Sequence, residues 1–415
     1  MHGCGIRSLS PDAHPAFNAN SIEDVCVIDP VSRRTFMKIA AISSVATNTW
    51  LAEGKTSLNK KDSRLMFAGT QTGASSKGIY AFQWDPSKGE LNETGLAVES
   101  NNPTFLALSP DGKHLYAVNE IEEYEGEKTG SVSSFSIDRS AAKLTPINTV
   151  ASAGTGPCHV STDQSGRAVF CANYAGGSAA SFHVDETGKL SAAVSQFHYE
   201  GHGPRPQQDK AHAHRATVTP ENHHVLINDL GLDCIHIYRL DPATAQLTAA
   251  NPPQWTAQPG SGPRALQFHP NGKWAYCLNE LSSAIDVLEW NGKSGALTSL
   301  QHIDTVPKDY HGETAASEIV IDSTGRFAYA AVRFWDKIVA FSIDPSTGKL
   351  SPIGTTSCGG KVPRHMTLDP TEKWLLVANQ ASDNIAVIHR DNQTGKLAQT
   401  GNSFPLVKPQ CLVFV

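Results

Sequence analysis

The sequence predicts an all-β protein: a seven-bladed β-propeller with four antiparallel strands per blade and one blade assembled from both ends of the chain. Three observations lead to this prediction. A unit of two β-rich segments joined by a turn recurs, with starts about 46 to 56 residues apart. Two further strands follow each unit, and four strands in such a period are typical of a propeller blade. The two ends of the chain each supply only part of a unit.

The clearest copy of the repeat covers residues 102–120, where an apolar strand, a Pro110-Asp111-Gly112 turn and a second strand ending in Asn119-Glu120 follow one another. Proline, aspartate and glycine in this order are typical of a tight turn between antiparallel strands. Related copies cover residues 157–174, 213–229, 262–280, 316–333 and 363–380. The chain therefore contains six complete first-and-second strand pairs.

The second half of each repeat supplies the other two strands. Residues 130–137 and 384–389 have the composition of third strands, and a Gly-Lys-Leu signal at Gly188, Gly348 and Gly395 marks the turn into a fourth. Helical repeats of similar length would need apolar residues at spacings of three and four, which these segments lack.

The seventh blade is predicted from the two ends of the chain. Residues 65–70 resemble a second strand with no first strand before it, and residues 408–415 resemble a first strand with nothing after it. Pairing these segments closes the ring and removes the exposed edges of an open array. We therefore predict a single propeller domain over residues 61–415.

Residues 1–60 form a leader with the features of a twin-arginine export signal. Ser32, Arg33, Arg34, Phe36 and Lys38 precede a weakly apolar run over residues 39–52. We expect the leader to be cleaved or disordered and the protein to be exported to the periplasm by the twin-arginine machinery. The alternative is a disordered basic tail on a cytoplasmic protein.

The composition excludes several classes of partner. With 40% hydrophobic and 18% charged residues and a net charge of −6, nothing favours nucleic acid or an anionic membrane. The eight cysteines form no closely spaced pairs, and Cys171 and Cys277 occupy one repeat position, as packing residues would. We expect a monomer that acts on a small molecule without a metal or cofactor.

Polar side chains collect at one end of the predicted hairpins. The start of a first strand and the end of a second strand lie at the same end of an antiparallel hairpin, so these positions ring one mouth of the channel. The first-strand positions hold His159, His212, His214, Arg264, Arg364 and His365, and the second-strand positions hold Glu120, Asp229, Glu280 and Arg333. Such a set suits an active site, although polar caps on strand ends are the alternative. His212 and His214 share one strand face and could ligate a metal, but no third ligand is evident.

Beyond the repeat, the chain from about residue 64 to residue 415 resembles the seven-bladed propeller lactonase family, which includes one class of 6-phosphogluconolactonase and a fungal 3-carboxy-cis,cis-muconate lactonizing enzyme. The resemblance rests on the motifs at residues 211–214, 262–264 with 268–270, 279–281 and 379–384. It implies that His214, Arg264, Glu280 and Arg333 form the active site. Two departures concern the substrate pocket: Val320 stands where the family usually has histidine, and Val332 where it usually has asparagine.

These residues suit the chemistry that the resemblance implies. Lactone hydrolysis needs a base to activate water and positive charge where the carbonyl oxygen becomes anionic. His214 or Glu280 could be the base, and Arg264 with Arg333 could stabilise the charge. We expect His159, His212, Arg364, Glu120 and Asp229 to bind substrate. The same catalytic groups could form a lactone instead, and a non-catalytic propeller that binds a sugar acid is a third hypothesis. Because no serine or cysteine lies in a recognisable nucleophile motif, we expect direct attack by water.

Overall fold

The structure is a computed structural model, and it describes residues 64–415. The twin-arginine segment and the predicted leader lie outside the described residues. The first part of the described chain contains β1 (Arg64–Thr70), β2 (Gly78–Asp85), β3 (Glu90–Glu99), β4 (Leu106–Leu108), β5 (His114–Asn119), β6 (Ser131–Asp138), β7 (Lys143–Ala151), β8 (Pro157–Thr162), β9 (Ala168–Asn173), β10 (Ser178–Val184), β11 (Leu190–His198), a short 3₁₀ helix (Pro206–Gln208), β12 (Ala213–Val218), β13 (His224–Asp229), β14 (Cys234–Asp241) and β15 (Gln246–Thr256).

The remainder contains only strands. They are β16 (Pro263–Phe268), β17 (Trp274–Asn279), β18 (Ala284–Asn291), β19 (Ala296–Asp304), β20 (Ala315–Ile321), β21 (Phe327–Arg333), β22 (Lys337–Ile343), β23 (Leu350–Ser357), β24 (Pro363–Leu368), β25 (Trp374–Asn379), β26 (Asn384–Arg390), β27 (Leu397–Pro405) and β28 (Pro409–Phe414). Over residues 64–415, no helix is both long enough and apolar enough to cross a membrane.

The strands form seven antiparallel sheets of four, which confirms the predicted propeller. Blade 1 has the order β28-β1-β2-β3, and blades 2 to 7 take the following strands in groups of four. β28 pairs with β1 through contacts such as Met66 with Phe414 and Ala68 with Leu412, so the predicted composite blade is also confirmed. The ring is therefore closed by the C-terminal strand.

The hydrophobic core lies between neighbouring blades. At the closure, Met66 and Trp84 of blade 1 pack in one cluster with Leu376 and Val387 of blade 7. The Trp84 indole N–H also donates to Asp369 of blade 7 at 3.2 Å. Each sheet is thus covered on both faces by its neighbours, which explains why β17, the second strand of blade 5, is buried at every position.

A β-bulge interrupts the innermost strand at the same repeat position in six of the seven blades. The register of β12 against β13, for example, shifts between Ala213 and Arg215, so that His214 is an extra residue. The other five bulges lie at the same position of their blades. A bulge places two residues opposite one and can therefore turn consecutive side chains toward the channel. The channel is thus lined by two rings of side chains.

We name these rings by their distance from the predicted site. The upper ring contains the six extra residues and Thr104, the residue at the equivalent position of blade 2. The six are Cys158, His214, Arg264, Ser317, Arg364 and Gln410. The lower ring contains the next residue of each blade, which are Phe105, His159, Arg215, Ala265, Glu318, His365 and Cys411.

Candidate active site

The Glu280 carboxylate is the centre of the site. Its Oε2 lies 2.8 Å from Nε of Arg264, and its Oε1 lies 2.9 Å from Nη2 of Arg333. Neither of these two nitrogens has a well-aligned hydrogen bond, so the contacts are ion pairs. His214 Nε2 lies 3.9 Å from Glu280 Oε2. The structure therefore brings together all four residues expected to be catalytic, from blades 4, 5 and 6.

The backbone around Gly262 fixes Arg264 relative to Glu280. The Glu280 N–H donates to the Gly262 carbonyl at 2.8 Å, and the Gly262 N–H donates to Asp233 at 2.8 Å. Gly262 has a φ of 68°, and a Cβ there would lie 2.6 Å from Leu281 Cγ. Only glycine fits both the left-handed conformation and the close approach. The sequence Gly262-Pro263-Arg264 thus positions the Arg264 guanidinium at the start of β16.

Charge compensation keeps Glu280 ionised. Burial raises the pKa of this carboxyl, but the guanidinium groups of Arg333, Arg264 and Arg364 lower it more, and the net pKa is below the ordinary value. Burial also lowers the pKa of Arg264 to about 9, with a further contribution from the nearby charge of Arg364. Arg264 is therefore still a cation at neutral pH.

His214 is a neutral imidazole at neutral pH. Burial lowers its pKa well below the ordinary value, and the charges of Arg264 and Arg364 lower it further. Its Nδ1 lies 3.6 Å from Cys158 Sγ, and the ring of Tyr174 packs edge-on at 5.3 Å. Burial raises the pKa of the Cys158 thiol, so this sulfur is not a thiolate nucleophile.

Arg364 and Glu120 complete the mouth. Arg364 is partly exposed and makes no ion pair with any residue of the described chain. Glu120 accepts a hydrogen bond of 2.5 Å from the Thr104 hydroxyl. Both also line a small cavity together with His214 and Arg264. The mouth therefore holds a guanidinium that is free to bind an anion.

The lower ring forms a floor beneath these groups. Arg215 of blade 4 and Glu318 of blade 6 meet across the channel, with Nη1 2.7 Å from Oε1. Phe105 of blade 2 packs on His159 at 4.2 Å and on His365 of blade 7 at 5.6 Å. The lower ring thus fills the channel axis, while its small members Ala265 and Cys411 leave room for the larger ones.

His159 belongs to this floor and not to the mouth. Its Nδ1 faces the Ala216 N–H at 3.4 Å, and its ring packs on Phe105. Burial lowers its pKa well below the ordinary value, and the charges of Arg215 and of protonated His365 lower this pKa further. It lines the cavity below His214, so it can contact only a small group there.

Two of the residues expected to bind substrate have structural partners instead. Asp229 is fully buried, and its Oδ1 accepts backbone N–H bonds from His212, Gly231 and Leu232 at 2.9 to 3.0 Å. His212 stacks on Tyr174 at 4.4 Å, with Nδ1 3.0 Å from the Tyr174 carbonyl oxygen. The structure does not bring either to the cavity, because the bulge turns His214 inward and leaves His212 in the wall.

The sequence reasoning missed Arg215, Phe105 and Gln410 as channel residues and assigned no role to Glu318. The signal that could have found them is the repeat alignment, because each lies in a repeat column that also contains a predicted site residue. Without the bulge, strand alternation would have turned one of two consecutive residues away from the channel. No group of three or more His, Cys, Asp or Glu side chains among residues 64–415 is arranged to hold a metal ion.

Comparisons with known proteins agree with this geometry. Residues 65–414 match the family model "Lactonase, 7-bladed beta-propeller". A 6-phosphogluconolactonase of Bacillus subtilis is 35% identical over 84% of this chain and 97% of its own length. A 6-phosphogluconolactonase of Formosa agariphila is 36% identical over 80% of this chain and 94% of its own. The structure of a periplasmic gluconolactonase of Pseudomonas aeruginosa is 32% identical, with a TM-score of 0.80 over 85% of this chain and 99% of that chain. This chain belongs to the seven-bladed β-propeller lactonase family.

Proposed function

We propose that this protein hydrolyses a sugar lactone at the mouth of its channel, by direct attack of water. The observation that carries the proposal is the Glu280 carboxylate held between Arg264 and Arg333, with His214 Nε2 3.9 Å away. Family membership and the named relatives support a lactone as substrate. The raised pKa of the Cys158 thiol, caused by burial, argues against a covalent intermediate at the one sulfur beside His214.

His214 is the proposed base. It is neutral and can accept a proton, whereas both oxygens of Glu280 are occupied by guanidinium groups that lower its pKa. Burial lowers the His214 pKa most and the charges of Arg264 and Arg364 lower it further, so a bound anion that offsets these charges would raise that pKa part of the way back. A base works best when its pKa lies near the operating pH. An anionic substrate would therefore improve the base, whereas a neutral lactone would leave the His214 pKa low.

The guanidinium groups have separate proposed roles. Glu280 holds Arg264 and Arg333 in place, and their remaining N–H groups face the carbonyl oxygen that becomes anionic in the transition state. Arg364, which has no ion-pair partner in the described chain, binds a charged group of the substrate or stabilises the oxyanion.

The competing reaction is lactone formation, in which the protonated base would act as the acid. The test is a rate screen of the purified protein against gluconolactone, 6-phosphogluconolactone and carboxymuconate, with and without chelator. We expect hydrolysis of a sugar lactone above the spontaneous rate and no effect of chelator. Turnover of carboxymuconate alone would overturn the hydrolytic proposal.

Arg364→Ala distinguishes the two roles of this guanidinium. If Arg364 binds phosphate, the loss of kcat/KM will be confined to 6-phosphogluconolactone. If Arg364 stabilises the oxyanion, kcat/KM will fall to a similar extent for both sugar lactones. Arg167→Ala, an exposed arginine in the turn between β8 and β9 at the other end of its hairpin, is the charge-matched control.

We further propose that the protein is exported and that its substrate is therefore an unphosphorylated sugar lactone. The paired arginines Arg33 and Arg34 and the periplasmic location named for the Pseudomonas relative support this proposal. Changing both arginines to lysine should retain the protein in the cytoplasm with unchanged lactonase activity in lysates. Equal periplasmic recovery of the variant, or cytoplasmic residence of the unaltered protein, would contradict it.

A further inference from the structure

A small, partly open cavity of about 20 Å³ is lined by side chains of the upper ring and the lower ring. A buried water needs roughly 10–15 Å³, so the cavity has room for one water and is too small for a sugar ring. Its lining is polar and includes Thr104, Glu120, His214, Arg264 and Gln410. The cavity therefore has the size and the chemistry of a single-water site.

Gln410 supplies an independent sign that the cavity binds a polar molecule. This side chain is 4% exposed, and its Nε2 has no hydrogen-bond partner among residues 64–415. A buried amide without a partner costs about 1–3 kcal/mol, which a water that accepts its N–H bond would offset. Glu120, which also lines the cavity, can accept a hydrogen bond from the same water.

The floor separates this cavity from the rest of the channel. Phe105, Arg215 and Glu318 line both the cavity and a chamber of about 730 Å³ at the opposite mouth. They form a layer one side chain thick, closed by the 2.7 Å ion pair. A lactone that enters at the site mouth would lie above His214, with the cavity beneath it.

We propose that this cavity holds the water molecule that attacks the lactone, an inference that rests on the proposed function. The water oxygen forms a bond to the carbonyl carbon while His214, which lines the cavity, accepts one of its protons. The tetrahedral intermediate then breaks the bond to the ring oxygen, and the proton on His214 passes to that oxygen. The product is the open hydroxy acid, and no other reactant is needed.

A nucleophile that binds in a cavity as small as this one is selected by its size. Methanol carries one carbon more than water and does not fit in this cavity. If the attacking water came instead from bulk solvent at the open mouth, methanol could replace it without any selection by size. A close-fitting pocket discriminates against one extra carbon by about 10- to 200-fold. The ratio of methyl ester to acid among the products therefore reports where the nucleophile binds.

The experiment measures this ratio by mass spectrometry in early turnovers in a water–methanol mixture, after subtraction of the spontaneous reaction. We expect the unaltered protein to form at least tenfold less methyl ester than the non-enzymatic reaction. Gln410→Ala enlarges the cavity and should raise the ester fraction about tenfold. Thr104→Ala enlarges the same cavity from blade 2 and should also raise the ester fraction. This second variant keeps the test valid if Gln410→Ala fails to fold.

Gln267→Ala is the matched control, because Gln267 also lies on an innermost strand but lines the chamber beyond the floor. It should leave the product ratio unchanged. An unaltered protein that forms ester in the solvent ratio overturns the proposal, as does an equal shift in the Gln267 variant. Absence of turnover on every lactone would instead refute the proposed function, so the two failures are distinguishable.

Discussion

At the scale of single residues, Arg264 is the side chain that tests stabilisation of the oxyanion. Arg264→Ala should lower kcat/KM by about 10²-fold or more, because one positioned donor to an oxyanion contributes about 3–4 kcal/mol in the transition state. Arg264→Lys should recover only part of the lost kcat/KM, because an ammonium group cannot reproduce the forked hydrogen-bond geometry of a guanidinium. Steady-state kinetics on the sugar lactone identified in the screen checks this, and unchanged kcat/KM in the alanine variant would place the chemistry elsewhere.

His214 and Glu280 are separated by their pH dependence. If His214 is the base, kcat/KM will be flat near neutral pH and will fall only well below pH 6.5, since burial and the neighbouring arginines lower the His214 pKa. His214→Gln should cost about 10²–10⁴-fold and abolish this acid limb.

Glu280→Gln should instead retain the limb and shift it. Loss of this carboxylate leaves the charges of Arg264 and Arg333 unopposed, which lowers the His214 pKa further and moves the limb to lower pH. An acid limb that survives in the His214 variant but disappears in the Glu280 variant would reverse the assignment.

At the scale of structural elements, the bulged innermost strands decide which side chains reach the channel. The Arg215–Glu318 pair that they bring together is buried, and burial raises the pKa of Glu318 while Arg215 and His365 lower it to a net value below the ordinary one. Glu318 therefore remains charged and needs its partner.

Arg215→Ala should destabilise the propeller by about 3–5 kcal/mol, because it leaves a buried charge without its partner. The double variant Arg215→Met with Glu318→Leu should recover most of this loss, since apolar residues of similar volume can replace a buried ion pair. Thermal unfolding midpoints of the two variants and the unaltered protein provide the measurement. If Arg215→Ala is as stable as the unaltered protein, water or a neighbouring cation must compensate the charge of Glu318.

At the scale of the whole molecule, closure of the ring depends on the last strand. Deleting residues 408–415 removes β28, which pairs along β1 and contributes the buried residues Cys411 and Leu412. The deletion would expose the inner edge of β1 and the packed faces of blades 7 and 2, so we expect aggregation. Light scattering after expression, compared with a chain that lacks only Val415, tests this. A soluble truncated protein with an unchanged melting temperature would contradict the role of β28.

The repeat and the turn signals were sufficient to predict seven blades, the four strands in each and the composite closure. These features follow from local chemistry: β-rich segments of about six residues, turns rich in Pro, Asp and Gly, and a first strand that is absent before residue 65 but present alone at residues 408–415. The mouth that carries His214, Arg264, Glu280 and Arg333 was also predictable, because antiparallel pairing places strand starts and strand ends together.

Only the tertiary structure decided how these side chains are divided between a mouth and a floor. Sequence alternation does not reveal the extra residue that each bulge adds, so His159 was grouped with the mouth, and Asp229 was not recognised as a backbone cap. Arg215 and Glu318 are 103 residues apart and lie on blades that are not neighbours. Their contact depends on the diameter of the closed ring and on the small side chain of Ala265 between them, and both are properties of the assembled propeller and not of any one repeat.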